Sequence, residues 1–475
     1  MSAFFQPRHG WVGDVIPFQQ DGVFHLWYLF ADRIAADDGR PANGMPWHLV
    51  TTSDFVTFVD HGEAVPSGGP DAEDFNVYTG SVVIDDEGTA HLFSTAQNPR
   101  RLGADGRPLQ LVAHATSRDG LRDWTKHPEL TFGAPAGYES GDWRDPFVFR
   151  DGDLWRMLVA ARHEDGPDRR RGTVAQLTSS DLDSWTPVEP LWDPRRYIAH
   201  ECPDVFQWGD WWYLVYSEFT DAFCTRYRIA RSPQGPWLLP PGDDQIDTRA
   251  FYAAKTVERD SRRYFVGWIA TREGGTDDGP WQWAGTMSTL EADQHPDGAL
   301  TFRFPDEMLA SFEATTDAGM PALPAELDAA ERYADVIGTE DLPDAFLLTA
   351  ELELGAGLEE AGLLIRSTAD GGEAGAIRLE PRRSRVVFDR WPRAVTGGEQ
   401  WQISGDVPFE FERPCRLEPG RHRIEIVVDG EIVVAVLDRQ VALSTRLYRR
   451  AGERIGFFAN GGAAELISLH IRTRA

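Results

Sequence analysis

Residues 145–161 read DPFVFRDGDLWRMLVAA. Two runs rich in aromatic, β-branched and aliphatic residues flank Asp151-Gly152-Asp153, a turn signal, so the stretch predicts a strand, a tight turn and a second strand. The same grammar returns in GSVVIDDEGTAHLFS at 80–94 and PDVFQWGDWWYLVYS at 203–217, with DEG and WGD at the turns. A second phrase punctuates these hairpins: TSDFVTF at 52–58, TSRDGLRDW at 116–124, SSDLDSW at 179–185 and the looser SPQGPW at 232–237. Its aromatic ends fall about 50 to 65 residues apart, a period expected of propeller blades with long connections. With one more hairpin in YAAKTVERDSRRYFVGWIA at 252–270, the repeat predicts a five-bladed β-propeller over residues 1–305.

Beyond the repeat, residues 306–343 shift toward Ala, Glu, Asp and Pro, which reads as a linker or short helix. Residues 344–475 return to short alternating runs, among them AFLLTAELEL at 345–354 and RHRIEIVVDGEIVVAVLD at 421–438, and predict a C-terminal β-sandwich. The expected class is all-β throughout.

Composition narrows the partners. The chain has 475 residues, 41% of them hydrophobic, enough for two sizeable cores. A net charge of −29 repels phosphate backbones and anionic membrane surfaces, so nucleic acid and lipid are excluded as expected partners. No apolar run approaches the length of a membrane span, and the N-terminus lacks a basic-then-apolar leader, so a cytoplasmic location is expected. Three cysteines build neither a disulfide framework nor a zinc site, and His9, His25, His48, His91, His114, His163 and His200 lack ligand spacing. With no phosphate-cradling glycine loop either, neither metal nor cofactor is expected. The 17 tryptophans fill cores by default, but aromatic faces also stack on sugar rings.

Three acids sit at comparable places relative to their strands: Asp14 before VIPF, Asp145 in WRDPFVF and Glu201 in HECPDVFQW. Each taken alone reads as a turn residue, a local ion pair or a surface acid. Together, at the mouth of a propeller channel, they suit glycoside cleavage, which needs one ionised and one protonated carboxyl.

In this order and over this span, WVGD at 11–14, YTGS at 78–81, RDP at 144–146, EC at 201–202, FYAAKT at 251–256 and WAGTMS at 283–288 resemble segments of glycoside hydrolase family 32, the invertase, levanase and inulinase family. IEIVVDGEIVVAVLD at 424–438 resembles a strand of that family's sandwich. The resemblance covers nearly the whole chain. It implies Asp14 as nucleophile, Glu201 as general acid/base and Asp145 as transition-state stabiliser, with Trp11, Tyr78, Ser81, Arg144 and Trp283 at the sugar. It also implies a retaining double displacement on β-fructofuranosides, sucrose or short fructo-oligosaccharides.

The sequence departs from the family pattern at Gly13, where an Asn is usual, at Val15-Ile16-Pro17, and at Leu29, where a Gln is usual. Lost hydrogen bonds to a buried sugar hydroxyl cost about 1–3 kcal/mol each. Fructosyl transfer or difructose-anhydride chemistry, an arabinofuranosidase-like propeller enzyme and a non-catalytic sugar-binding propeller are therefore carried as alternatives. A small oligosaccharide is the expected partner, and the sandwich is expected to stabilise the propeller or to support a homodimer.

Overall fold

The computed structural model describes residues 2–34, 42–390 and 411–474, and nearly all of its regular structure is β. The hairpin read first forms as strands Tyr138–Asp151 and Leu154–His163, with Leu154 facing Asp151 across the two-residue turn. Gly152 takes φ 61° there, a conformation that side chains with a Cβ rarely adopt.

Two compact units divide the chain: Phe5–Ala270 with Gln282–Leu300, and Met1–Phe4 with Thr271–Trp281 and Thr301–Ala475. The first unit is built of antiparallel sheets. Trp11–Gln20, Val23–Ala31, Trp47–Thr52 and Val59–Val65 lie in order in an eight-stranded sheet, joined through the pairing of Val12 with Gly285 to Trp281–Gln294, Arg262–Arg272 and Phe251–Arg259. Two four-stranded sheets begin with Asn76–Ile84 and Tyr138–Asp151, and a three-stranded sheet begins with Ala199–Trp208. The strands Trp11–Gln20, Asn76–Ile84, Tyr138–Asp151, Ala199–Trp208 and Phe251–Arg259 pack each on the next, and the last on the first.

The recurring Ser/Thr-x-Asp phrases are turns with one design. Asp54 Oδ1 accepts the backbone N–H of Val56 and Thr57, and Asp181 Oδ1 that of Asp183 and Ser184. These turns hold Phe55, Leu121 and Leu182 at φ 56°, 69° and 65°, all buried. Leu121 joins the core formed by Trp27, Trp47, Val77 and Leu92, and Leu182 the core formed by Trp143, Met157 and Leu177. The hydrogen-bonded turn offsets the left-handed backbone, which in turn drives an apolar side chain between sheets.

The second unit holds two antiparallel sheets. One contains Ala345–Leu354, Gly420–Asp429, Ile432–Leu437, Val441–Arg446 and Ala463–Thr473. The other contains Glu360–Ser367, Gly375–Glu380, Arg385–Asp389, Phe411–Pro414 and Arg454–Asn460. Residues 306–343, expected as a linker, carry the helix Asp306–Ala310 and three short strands. Ala314–Thr316 and Ala325–Asp328 pair with Ala463–Thr473, and Ala334–Ile337 pairs with Arg454–Asn460. The segment is thus part of the sheets, because uncovered strand edges and buried side chains such as Phe312 and Leu342 need partners. Among the described residues no helix is long and apolar enough to cross a membrane.

Candidate active site

The five first strands of the first unit share one irregularity. Opposite Leu29 the strand Trp11–Gln20 places both Gly13 and Asp14, since Val12 pairs with Phe30 and Val15 already with Tyr28. Register shifts of the same kind fall at Thr79, at Asp145-Pro146, at Cys202-Pro203 and at Ala253-Ala254. Asp145, Cys202 and Ala253 have φ of 60°, 50° and 54°. A bulge turns a side chain out of the pleat, and here successive bulges turn theirs toward one another.

Asp14 is buried, with Oδ2 accepting from Thr79 Oγ1 at 2.5 Å and Oδ1 from Trp268 Nε1 at 2.9 Å. Cys202 Sγ lies 3.7 Å from the same Oδ2. Burial raises the pKa of Asp14 above the ordinary carboxylate value, the hydrogen bonds from Thr79 and Trp268 oppose it, and the charge of Glu201 adds to the rise. Asp145 is 3% exposed, its backbone N–H donates to Thr95 Oγ1 at 2.8 Å, and its Oδ2 accepts the backbone N–H of Cys202 at 2.9 Å. Burial pushes its pKa up to about 7 against the pull of Arg144, with Glu201 and Asp14 adding repulsion.

Glu201 is held from both sides. Arg144 Nη2 donates to its Oε1 at 3.0 Å, and the Tyr252 hydroxyl lies 2.7 Å from its Oε2. The structure thus brings together Asp14, Asp145, Glu201 and Arg144, with Tyr78 beside them: burial raises the phenol's pKa, while Arg144 and Asp14 act on it electrostatically. Three carboxyls with different hydrogen-bond supplies in one buried cluster can divide the nucleophile and proton-donor roles that acetal cleavage requires.

Other expected residues fall differently. Ser81, expected at the sugar, is buried and braces the neighbouring sheet: its hydroxyl donates to Pro146 O at 3.0 Å and accepts from Val148 N–H at 2.9 Å. A short hydroxyl on the strand next to Asp145 reaches that backbone, which would otherwise miss its partners beside the bulge. Trp11 is half-buried under the Arg33 guanidinium, 4.8 Å from the ring. Trp283 is 37% exposed, and its ring stands edge-on to that of Trp268 at 6.1 Å. Its indole explains Gly13: a Cβ there would lie 2.4 Å from Trp283 Cη2 and 3.1 Å from Leu29 Cβ.

The sequence reading missed Thr79, Thr95, Tyr252, Trp268 and Asp142. Thr79 lies inside YTGS and Tyr252 inside FYAAKT, so the quoted phrases contained them; Trp268 and Asp142 had no local signal. Among the described residues no cluster of His, Cys, Asp and Glu fits a metal ion.

A sequence profile described as the C-terminal part of glycosyl hydrolases family 32 matches residues 331–473. Sucrose-6-phosphate hydrolase of Escherichia coli is 28% identical over 275 residues, 54% of this chain and 55% of that protein. Together these matches support glycosyl hydrolase family 32 for the chain. A second relative, sucrose-6-phosphate hydrolase of Zymomonas mobilis, is 25% identical across 81% of this chain and 75% of its own length. The matched region thus spans about half of the Escherichia coli protein and three quarters of the Zymomonas one. Fructan 1-exohydrolase IIa of Cichorium intybus superimposes with a TM-score of 0.78 at 17% identity, over 99% of this chain and 96% of that one. This likeness supports the propeller-and-sandwich architecture of family 32 for the chain.

Proposed function

We propose that this chain hydrolyses β-fructofuranosidic bonds in sucrose and short fructo-oligosaccharides by retaining double displacement. The five bulged strands count, on this reading, as the inner strands of five blades, the eight-stranded sheet supplying two. What carries the proposal is the convergence of Asp14 and Asp145, on their bulges, with Glu201, beside the bulge at Cys202-Pro203. The likeness to family 32 and the substrates in its relatives' names, sucrose 6-phosphate and fructan, support the sugar class.

Asp14 attacks the anomeric carbon along a line fixed by Thr79 and Trp268, whose hydrogen bonds favour the ionised carboxylate and so oppose the effect of its burial. Glu201 gives a proton to the leaving oxygen and then takes one from the incoming water. Arg144 and Tyr252 aim its two oxygens. Asp145, fixed by Thr95 and by the Cys202 backbone, accepts sugar hydroxyls and stabilises the oxocarbenium-like transition state.

Incubating the purified chain with sucrose, sucrose 6-phosphate and 1-kestose and separating the products tests the reading. Fructose release, lost in Asp14→Asn, is expected; inertness toward every fructoside would overturn it. Retention is checked by ¹³C NMR of the first turnovers, where the released fructose should begin as the β-furanose and only then mutarotate.

A further inference from the structure

Glu201 is the end of a row of alternating charges that starts at the molecular surface. Arg107 Nη1 donates to Asp142 Oδ2 at 2.6 Å, Asp142 Oδ1 accepts from Arg144 Nη1 at 2.7 Å, and Arg144 Nη2 donates to Glu201 Oε1 at 3.0 Å. Asp142 and Arg144 are each 9% exposed. Arg107 is bound on its outer side by Asp105 at 2.8 Å and Glu139 at 2.5 Å, and Arg162 approaches Asp142 Oδ2 at 3.4 Å. Gln110 Oε1 steadies the same turn by accepting from Trp143 N–H at 3.1 Å and from Arg144 Nη1 at 3.3 Å.

One guanidinium therefore hydrogen-bonds two carboxylates, Asp142 and Glu201, from different nitrogens, and its Nε also lies 3.9 Å from Asp145 Oδ2. A cation divided between two anions stabilises each less than it would stabilise one alone, and the two anions repel each other. We propose that Asp142 is a positioning residue that holds Arg144 in place and limits how strongly that cation favours the ionised form of Glu201, with Arg107 as its counterweight. Glu201 is faced besides by the Tyr252 hydroxyl, the carboxyls of Asp14 and Asp145 and the neighbouring Cys202 thiol, none of which touches Asp142. The inference builds on the proton-donor role given to Glu201 above, but the carboxyl's titration reads it independently of turnover.

The test is ¹³C NMR of glutamate-labelled protein, with the Glu201 carboxyl signal assigned by its disappearance in Glu201→Gln. In Asp142→Asn the Glu201 titration should move to lower pH, because Arg144 is then shared with Asp145 only. In Arg107→Gln it should move the opposite way, since Asp142 loses its outer cation; Asp142→Glu should return it toward the wild-type position. If the chain is active, the alkaline limb of its kcat/KM profile should follow the same order. Unchanged titration in a folded Asp142→Asn protein overturns the proposal, as do shifts of one sign in both variants. Should Asp142→Asn not fold, Arg107→Gln alone decides, because Arg107 is more exposed than Asp142, its side chain 42% accessible against 12%. Loss of fructoside activity in the wild type with these shifts intact would overturn the function and leave the relay standing.

Discussion

At the scale of single residues, the site is organised around what each carboxylate is bonded to. Asp14→Asn keeps the shape and both hydrogen-bond partners but removes the charge proposed to attack, so kcat should fall on the order of 10³-fold or more with the fold intact by circular dichroism. Gly13 is a subtler case. Its missing Cβ is occupied space, because the Trp283 indole lies against the backbone there. Gly13→Asn should lower kcat/KM by driving Trp283 off Trp268 and so disturbing the donor to Asp14. Adding Trp283→Ala should recover part of the loss, and kinetics of the double-mutant cycle measures the coupling. The departure at Gly13 was legible in the sequence, whereas the residue that fills the gap lies 270 positions away and was not.

Strands and turns were readable in kind but not in detail. Alternation and turn residues announced the hairpins because side chains repeat every two residues on a half-buried sheet. The register breaks escaped it: a bulge inserts one residue without changing the local composition, and only the partner strand reveals it. Ser81 illustrates the consequence. A serine in YTGS reads as a ligand for sugar, yet its hydroxyl joins two sheets behind Asp145. Ser81→Ala leaves the Val148 N–H and the Pro146 carbonyl without that partner in a buried place, a loss of about 1–3 kcal/mol. Thermal unfolding should show the loss, while KM for the fructoside stays close to the wild-type value.

For the whole molecule, the site works against stability, and pH should expose it. The Asp145 carboxyl has its pKa pushed up to about 7 in the folded chain, from an ordinary value near 3.8. Between those limits the folded state binds more protons than the unfolded one, so its contribution to stability is present at low pH and is lost as pH rises toward and past neutrality. Asp145→Asn removes that dependence. Its Tm should match the wild type near pH 4 and exceed it by on the order of a few degrees at pH 8, by scanning calorimetry, while its fructoside activity should be lost. A Tm difference independent of pH would show that the buried carboxyl is not the source.

The sequence by itself determined the all-β class, the repeat of hairpins and turns, and the segments that carry Asp14, Asp145 and Glu201, because side-chain periodicity and turn chemistry are local properties of the chain. Tertiary structure decided that these segments bulge together, that Ser81 braces, that Trp283 takes the place beside Gly13, and that Asp142 shares Arg144 with Glu201. Each of those depends on which atoms lie within a few ångströms across strands remote in sequence, where hydrogen bonding, burial and electrostatic interaction are strongest.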